Sequence, residues 1–390
     1  MILILGSLTA LGPFSIDMYL PAFSKMAEAL NTSISNVSLS LSSYFVGLAV
    51  GQLFYGPLLD RFGRKKPLYF GLVIYILATI ACGLSTTIEG LIAFRFVQAI
   101  GGCAAGVASV AMVRDLFLPK ESAKVFSLLM LILGVSPLVA PTAGGFLAAT
   151  LGWQSVFVAL GIIALLMLLV SAIRLPESHQ PDPTQSLMPG PILKNYWTIL
   201  KYPQFYTYTF ACAVAFSGLF VYVAGSPIIF MEIFKVSEQV YGSIFAMLAV
   251  GFVGSSQLNI FLLRRFSNEQ IFFASLIGLT FTGLVFFVGA LNNWYGIGST
   301  IAILFFFLSF VGLSNPNGAA LALAPFGKDA GKASALLGSL QMGAGALASV
   351  AVGVSGAQQI FPIAAIFASS ALLALAILVI GRRRAGLISH

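Results

Sequence analysis

Two ionisable side chains, Asp17 and Arg95, lie inside otherwise apolar stretches in the first half of this 390-residue chain. A charge in hydrocarbon is costly, and it is kept where it serves a partner, an ion or a proton. Asp17 stands six residues from the far end of the apolar stretch 2–23, and Arg95 five or six from one end of the stretch 90–112. At a helical rise of 1.5 Å per residue, both sit roughly 8–9 Å below the same surface. An opposite charge at that depth and the loss of water act on a carboxyl group in opposite senses, which suits a group that takes up and releases protons. The alternative is a fixed ion pair that only joins two helices. Enzyme chemistry has little to work with. No histidine falls in an apolar stretch, no metal-spaced cluster occurs, and no nucleotide-binding loop is present. Cys82, Cys103 and Cys212 all lie in apolar runs, an odd number without metal spacing. No cofactor is expected, and an ion gradient would be the energy source.

The elements that carry these residues follow from composition. The chain is 59% hydrophobic and 8% charged, against about 25% charged in an ordinary soluble domain. Only a bilayer can face so much apolar surface without penalty. Windows of about 20 apolar residues predict spans at 2–23, 37–58, 67–86, 90–112, 124–148 and 153–173, then at 206–229, 239–262, 270–290, 297–322, 333–355 and 360–380. The expected fold is therefore an all-α polytopic membrane protein with twelve transmembrane helices in two six-helix bundles. Its predicted parts are a first bundle at 1–173, a proline-rich linker at 174–202, a second bundle at 203–381 and a tail at 382–390.

Charge placement tests that count. With both termini on the cytoplasmic side, 17 of the 20 basic residues fall inside, including Arg61, Arg64, Lys65, Arg114, Lys120, Lys124, Arg174, Arg264, Lys328, Arg382 and Arg384. Only Lys25 and Lys235 fall outside. This is the bias expected of a polytopic protein, and it makes nucleic acid an unneeded explanation for the net charge of +8. The first stretch lacks a basic leader and a cleavage site, so it reads as an uncleaved span with a short or trimmed N-terminus. The sequons at Asn31 and Asn36 read as capping residues before the second span.

The sharpest local pattern is Gly56-Pro-Leu58-Leu-Asp60-Arg61-Phe-Gly63-Arg64-Lys65-Lys66. Glycines permit a tight turn between antiparallel helices, and the basic cluster anchors the loop at inner headgroups. Asp60 is not needed for orientation. It could meet a helix N-terminus or pair with an arginine, latching one conformation. This segment resembles the loop signature of the major facilitator superfamily, matched at Gly56, Leu58, Asp60, Arg61, Gly63, Arg64 and Lys65. The resemblance implies that the loop stabilises one conformation, with Arg64 meeting Asp115 and Asp60 facing span 11.

Asp17-Met-Tyr-Leu-Pro21 and Arg95-Phe-Val-Gln98-Ala-Ile-Gly101-Gly102 resemble the drug:proton antiporters of that superfamily, the first being similar to the bicyclomycin-resistance (Bcr/CflA) branch. The resemblance implies that Asp17 carries the proton and Arg95 is its counter-charge. Some relatives hold a second acid earlier on span 1, where this chain has Ser7 and Thr9. Gly134-Val-Ser-Pro137-Leu-Val-Ala140-Pro141-Thr-Ala-Gly144-Gly145 bends its helix and offers a flat face for close packing. It also resembles the span 5 antiporter motif at Pro137, Pro141, Gly144 and Gly145, with Ala140 in place of a glycine, and so implies export.

In the second half, Gly225-Ser226-Pro227 stands near the place that the Asp17–Pro21 turn occupies in the first, as a duplicated architecture requires. Candidate cavity residues are Gln98, Asn315, Asn317 and Gln341, with Tyr19, Tyr44, Phe45 and Tyr222 as aromatic surfaces. Each has interhelical packing as its plainer role. Few charges and many aromatics suit apolar, neutral or weakly cationic molecules. The expectation is a monomeric, proton-coupled secondary transporter in a bacterial inner membrane that exports small molecules or drugs. Import of a metabolite or siderophore, and a non-transporting receptor, are the alternatives.

Overall fold

The computed structural model describes residues 1–117, 119–183, 187–326, 330–355 and 359–384. Lys328 and tail residues 385–390 lie outside the described residues, as do the side chains of Lys120, Lys124 and Arg384. The regular structure is helical: α1 Ile2–Asp17, α2 Phe23–Ala29, α3 Ile34–Phe62, α4 Lys65–Gly83, α5 Ile88–Leu116, α6 Pro119–Leu151 and α7 Gln154–Arg174. There follow α8 Pro189–Leu200, α9 Pro203–Pro227, α10 Glu238–Leu262, α11 Asn268–Leu291, α12 Ile297–Leu323, α13 Ala330–Val354 and α14 Ile360–Arg384.

Twelve segments among the described residues are long and apolar enough to cross a membrane. α1 and α2 together make the first, Ile2–Ala29, and the fifth is Gly134–Leu151 within α6. Several helices outrun the predicted stretches: α3 and α5 have 29 residues each. Hydrogen bonding continues past the apolar core until a breaker stops it, so apolar length marks the minimum extent of a helix. The start of α3 is set by Ser33, whose hydroxyl accepts from the Asn36 amide at 3.1 Å. Large apolar side chains such as Phe281 and Leu77 are 66% and 62% exposed, a liability in water and the required surface in lipid.

The first span breaks after Asp17. Pro21 lacks an amide proton, and a 3₁₀ turn at Leu20–Ala22 reconnects the chain to α2. The seventh span breaks at the matching place, where α9 ends at Pro227 and runs into a π-helical turn, Ile228–Ile233.

The chain forms two compact units, Met1–Ile192 with Glu238–Ala246, and Leu193–Ser237 with the residues from Met247 onward. α8 forms within the stretch expected to be linker. In the first unit α1 packs on α5, α6 and α7, α3 packs on α5, and α4 packs on α5 and α7. In the second, α9 packs on α12, α13 and α14, and α11 packs on α12 and α14. Numbered by span, the first and third helices of each unit touch the same partners, so one six-span packing plan is used twice.

Candidate functional site

Arg95 is fully buried on α5. Its guanidinium lies over two rings, 4.4 Å from the centroid of Tyr19 and 4.2 Å from that of Tyr44. Nη1 donates to Gln98 Oε1 at 2.6 Å and Nη2 to the Ser15 carbonyl at 3.1 Å. Gln98 Nε2 passes the network to Thr79 Oγ1 at 2.7 Å, and the Ser15 and Tyr75 hydroxyls share a hydrogen bond at 2.6 Å. A cation over an aromatic face contributes about 2 kcal/mol or more when desolvated. Arg95 and Gln98 together therefore join the first four spans. Among the cavity candidates, Tyr19, Tyr44 and Gln98 all meet here, while Phe45 is buried beside Tyr44.

Asp17 is also buried, and its carboxylate makes no hydrogen bond or ion pair with any described residue. The expected pairing with Arg95 is not formed. The contact that Arg95 makes with α1 goes to Ser15, two residues away, and residues at i and i+2 face different sides of a helix. Helix rotation separates the two charges.

Beside Asp17 lies the small-residue face of α6. A Cβ on Gly144 would stand 2.0 Å from the Met18 carbonyl oxygen and 2.7 Å from its carbon, so only glycine fits. A Cβ on Gly145 would meet nothing closer than the Glu238 carbonyl at 3.2 Å. Pro137 and Pro141 both lie inside α6, and Ala140 is fully buried. Lys25 on α2 covers the end of α6, donating to the carbonyls of Ala148 at 2.6 Å and Ala149 at 3.2 Å. Such contacts satisfy carbonyls that a helix end leaves open.

At the other end of the first unit, Gly63 links α3 to α4 with φ 82° and ψ 172°, a region essentially confined to glycine. Arg64 is buried there. Its Nε donates to Asp115 Oδ2 at 2.8 Å and its Nη1 to Asp60 Oδ1 at 2.7 Å. Burial opposes the charge, and hydrogen bonds and attraction from Asp115 and Asp60 outweigh it, holding Arg64 above its ordinary pKa. The implied Arg64–Asp115 contact is present, and Asp60 takes the arginine partner. Arg61 and Lys65 lie over the rings of Phe62 and Tyr69. Leu58 is half-buried, and Gly56 faces open space. Glu177, which the sequence reading passed over, accepts from the backbone amides of Arg64 at 2.7 Å and Lys65 at 3.1 Å. As one of only 12 acidic residues, placed just beyond a basic helix end, it carried a weak signal.

In the second unit Gln341 Nε2 donates to Asn315 Oδ1 at 2.7 Å, with the Cys212 sulfur 3.4 Å from the same nitrogen. Asn317 Nδ2 donates to Asn259 Oδ1 at 2.8 Å. Tyr222 is buried on α9. Glu232 lies on the π turn, its Oε2 buried without a hydrogen-bond partner among the described residues. The polar candidates of this unit thus form two small networks. No group of three His, Cys, Asp or Glu side chains suited to a metal occurs among the described residues.

The arrangement is a buried acid beside a helix break, a buried arginine whose hydrogen-bond network links four helices, and an ion-pair cluster at a helix turn. Comparison with known proteins gives it a family. Residues 5–349 match the model described as Major Facilitator Superfamily. The MFS-type transporter YdgK of Bacillus subtilis is 34% identical over 390 residues, covering 98% of this chain and 96% of that one. A bicyclomycin resistance protein homolog of Haemophilus influenzae is 32% identical, covering 89% and 87%. Multidrug resistance protein MdtL of Escherichia coli is 30% identical, covering 86% and 84%. The crystal structure of a D-xylose-proton symporter shares the fold, with a TM-score of 0.73 at 16% identity, covering 97% of this chain and 96% of that one.

Proposed function

The chain belongs to the Major Facilitator Superfamily, and from that premise we propose that it exports small, largely apolar drug molecules in exchange for protons. The family makes it a multi-pass membrane transporter of small molecules. The finer reading draws on relatives named for bicyclomycin and multidrug resistance and on the span 5 motif. It places the protein in a bacterial inner membrane as a monomer with both termini in the cytoplasm, following the basic loops. It needs no cofactor besides the proton gradient.

One observation carries the coupling: Asp17 is buried without an ionic partner, where α1 breaks and α6 presses on Met18. A buried carboxylate with no cation beside it is answered by a proton. Asp17 is therefore the proton carrier. Arg95 serves it indirectly, fixing Ser15 and Tyr19 on either side of it. The 56–66 loop holds one conformation through Arg64 and Asp115, and its release permits the alternate one.

The test is transport by the full chain in proteoliposomes under an imposed pH gradient, with bicyclomycin and a panel of cationic and neutral antibiotics as probes. Wild type moves at least one probe uphill, against proton flow. Asp17→Asn loses that uphill movement and keeps downhill exchange. Uphill transport by Asp17→Asn at the wild-type level sinks the assignment, and accumulation in the direction of proton flow makes the protein an importer.

A further inference from the structure

The residues that follow α7 are built into the turn between α3 and α4. Glu177 Oε1 accepts from the Arg64 amide at 2.7 Å and Oε2 from the Lys65 amide at 3.1 Å. These amides open α4 and have no partner within the helix, so a carboxylate is favoured there by both hydrogen bonding and the helix dipole. Oε1 also accepts from the amides of Ser178 at 3.1 Å and His179 at 3.4 Å, which closes the 177–179 turn on itself. The Ser178 hydroxyl donates to Asp115 Oδ2 at 3.0 Å, the same oxygen that accepts from Arg64. The Asp182 amide donates to the Asp60 carbonyl at 3.1 Å. Residues 177–182 therefore hold the backbone of Arg64 and touch both of its acidic partners.

Gly63 carries an independent mark of the same contact. A Cβ at that position would stand 2.9 Å from Glu177 Oε2 and 3.3 Å from the His179 carbonyl. The glycine makes room for the segment as well as turning the chain.

The second unit makes a related tie with the charges exchanged. Glu269, in the first turn of α11, pairs with Arg382 near the end of α14 at 2.7 Å and accepts from the Tyr208 hydroxyl at 2.6 Å. In both units the start of the third span is bound to the end of the sixth or to the chain just past it. In the first unit the tie also embraces the Arg64–Asp115 pair.

We propose that Glu177 is a positioning residue of the conformational switch. It sets the Arg64 backbone so that the guanidinium reaches Asp115 and Asp60, and it makes 177–182 a working part of the latch. The latch then opens only when this segment moves with it. This rests on the reading of the 56–66 loop as the switch.

The test needs no substrate. Spin labels on cysteines introduced at Ile173 and Arg264, with the buried native cysteines left in place, report the populations of the conformers of the full chain in liposomes. Arg64→Ala and Glu177→Ala each deplete the latched population by about tenfold, the effect of losing one charge-assisted hydrogen bond. The double variant goes no further than either alone. Glu177→Gln, which keeps one acceptor oxygen, recovers part of the loss. A wild-type distribution in Glu177→Ala, with Arg64→Ala shifted, overturns the proposal and leaves the switch reading standing. Additive effects reduce Glu177 to a structural support and overturn it equally. No shift in Arg64→Ala removes the switch reading and the proposal with it.

Discussion

Arg95 is held by two rings, a main-chain carbonyl and an amide side chain. Its rarity in an apolar stretch picked it out from the sequence, but its partners could not be read there. Pairing depends on how each helix is rotated, and a shift of two residues on α1 turns a carboxylate away and brings a carbonyl in. The holding groups need a flat cation that donates in two directions, which arginine is and lysine is not. Arg95→Lys keeps the charge, and it is expected to cost about 2 kcal/mol, read as a lower melting temperature in detergent. A variant that melts with wild type would show that the rings contribute nothing.

Among the elements, the contact between α6 and the end of α1 makes the sharpest distinction. The two adjacent glycines of the span 5 motif look alike in sequence. A Cβ at Gly144 would sit 2.0 Å from a backbone oxygen that belongs to a packed helix end, whereas one at Gly145 would need a shift of only tenths of an ångström. Gly144→Ala is therefore expected to abolish transport and lower the yield of folded protein, and Gly145→Ala to keep both within about twofold of wild type. Equal tolerance at the two positions, measured by size-exclusion yield and flux, would rule out this packing account. The break in the first span was legible because Pro21 cannot continue a helix ladder. The π turn at Ile228–Ile233 left no comparable mark, since a π turn has no residue of its own and arises where packing admits an extra residue. Glu177 was missed for a similar reason. Its role comes from a loop folding back over a helix start more than a hundred positions away in the chain.

At the scale of the whole molecule, the expected orientation rests on the basic residues. With both termini read as cytoplasmic, seventeen of 20 belong to the inside segments of the sequence, and each such charge resists transfer across the bilayer. A green fluorescent protein fused after His390 is expected to fluoresce in the cytoplasm, and alkaline phosphatase inserted at Asn31 to be active outside. The reverse pattern, or two reporters of the same side, would refute the inside placement of both termini.

Membrane class, span number and the two-fold repeat were determined by the sequence alone, because transfer free energies accumulate residue by residue along an apolar stretch and need no knowledge of neighbours. The loop signature was also local, and Arg64 meets Asp115 as the family resemblance implied. Tertiary structure alone decided which groups meet. It turned Asp17 away from Arg95, set Gly144 against Met18, and laid Glu177 over the start of α4. Those outcomes depend on helix rotation and on chain returning from a distance, and neither is encoded in any short run of residues.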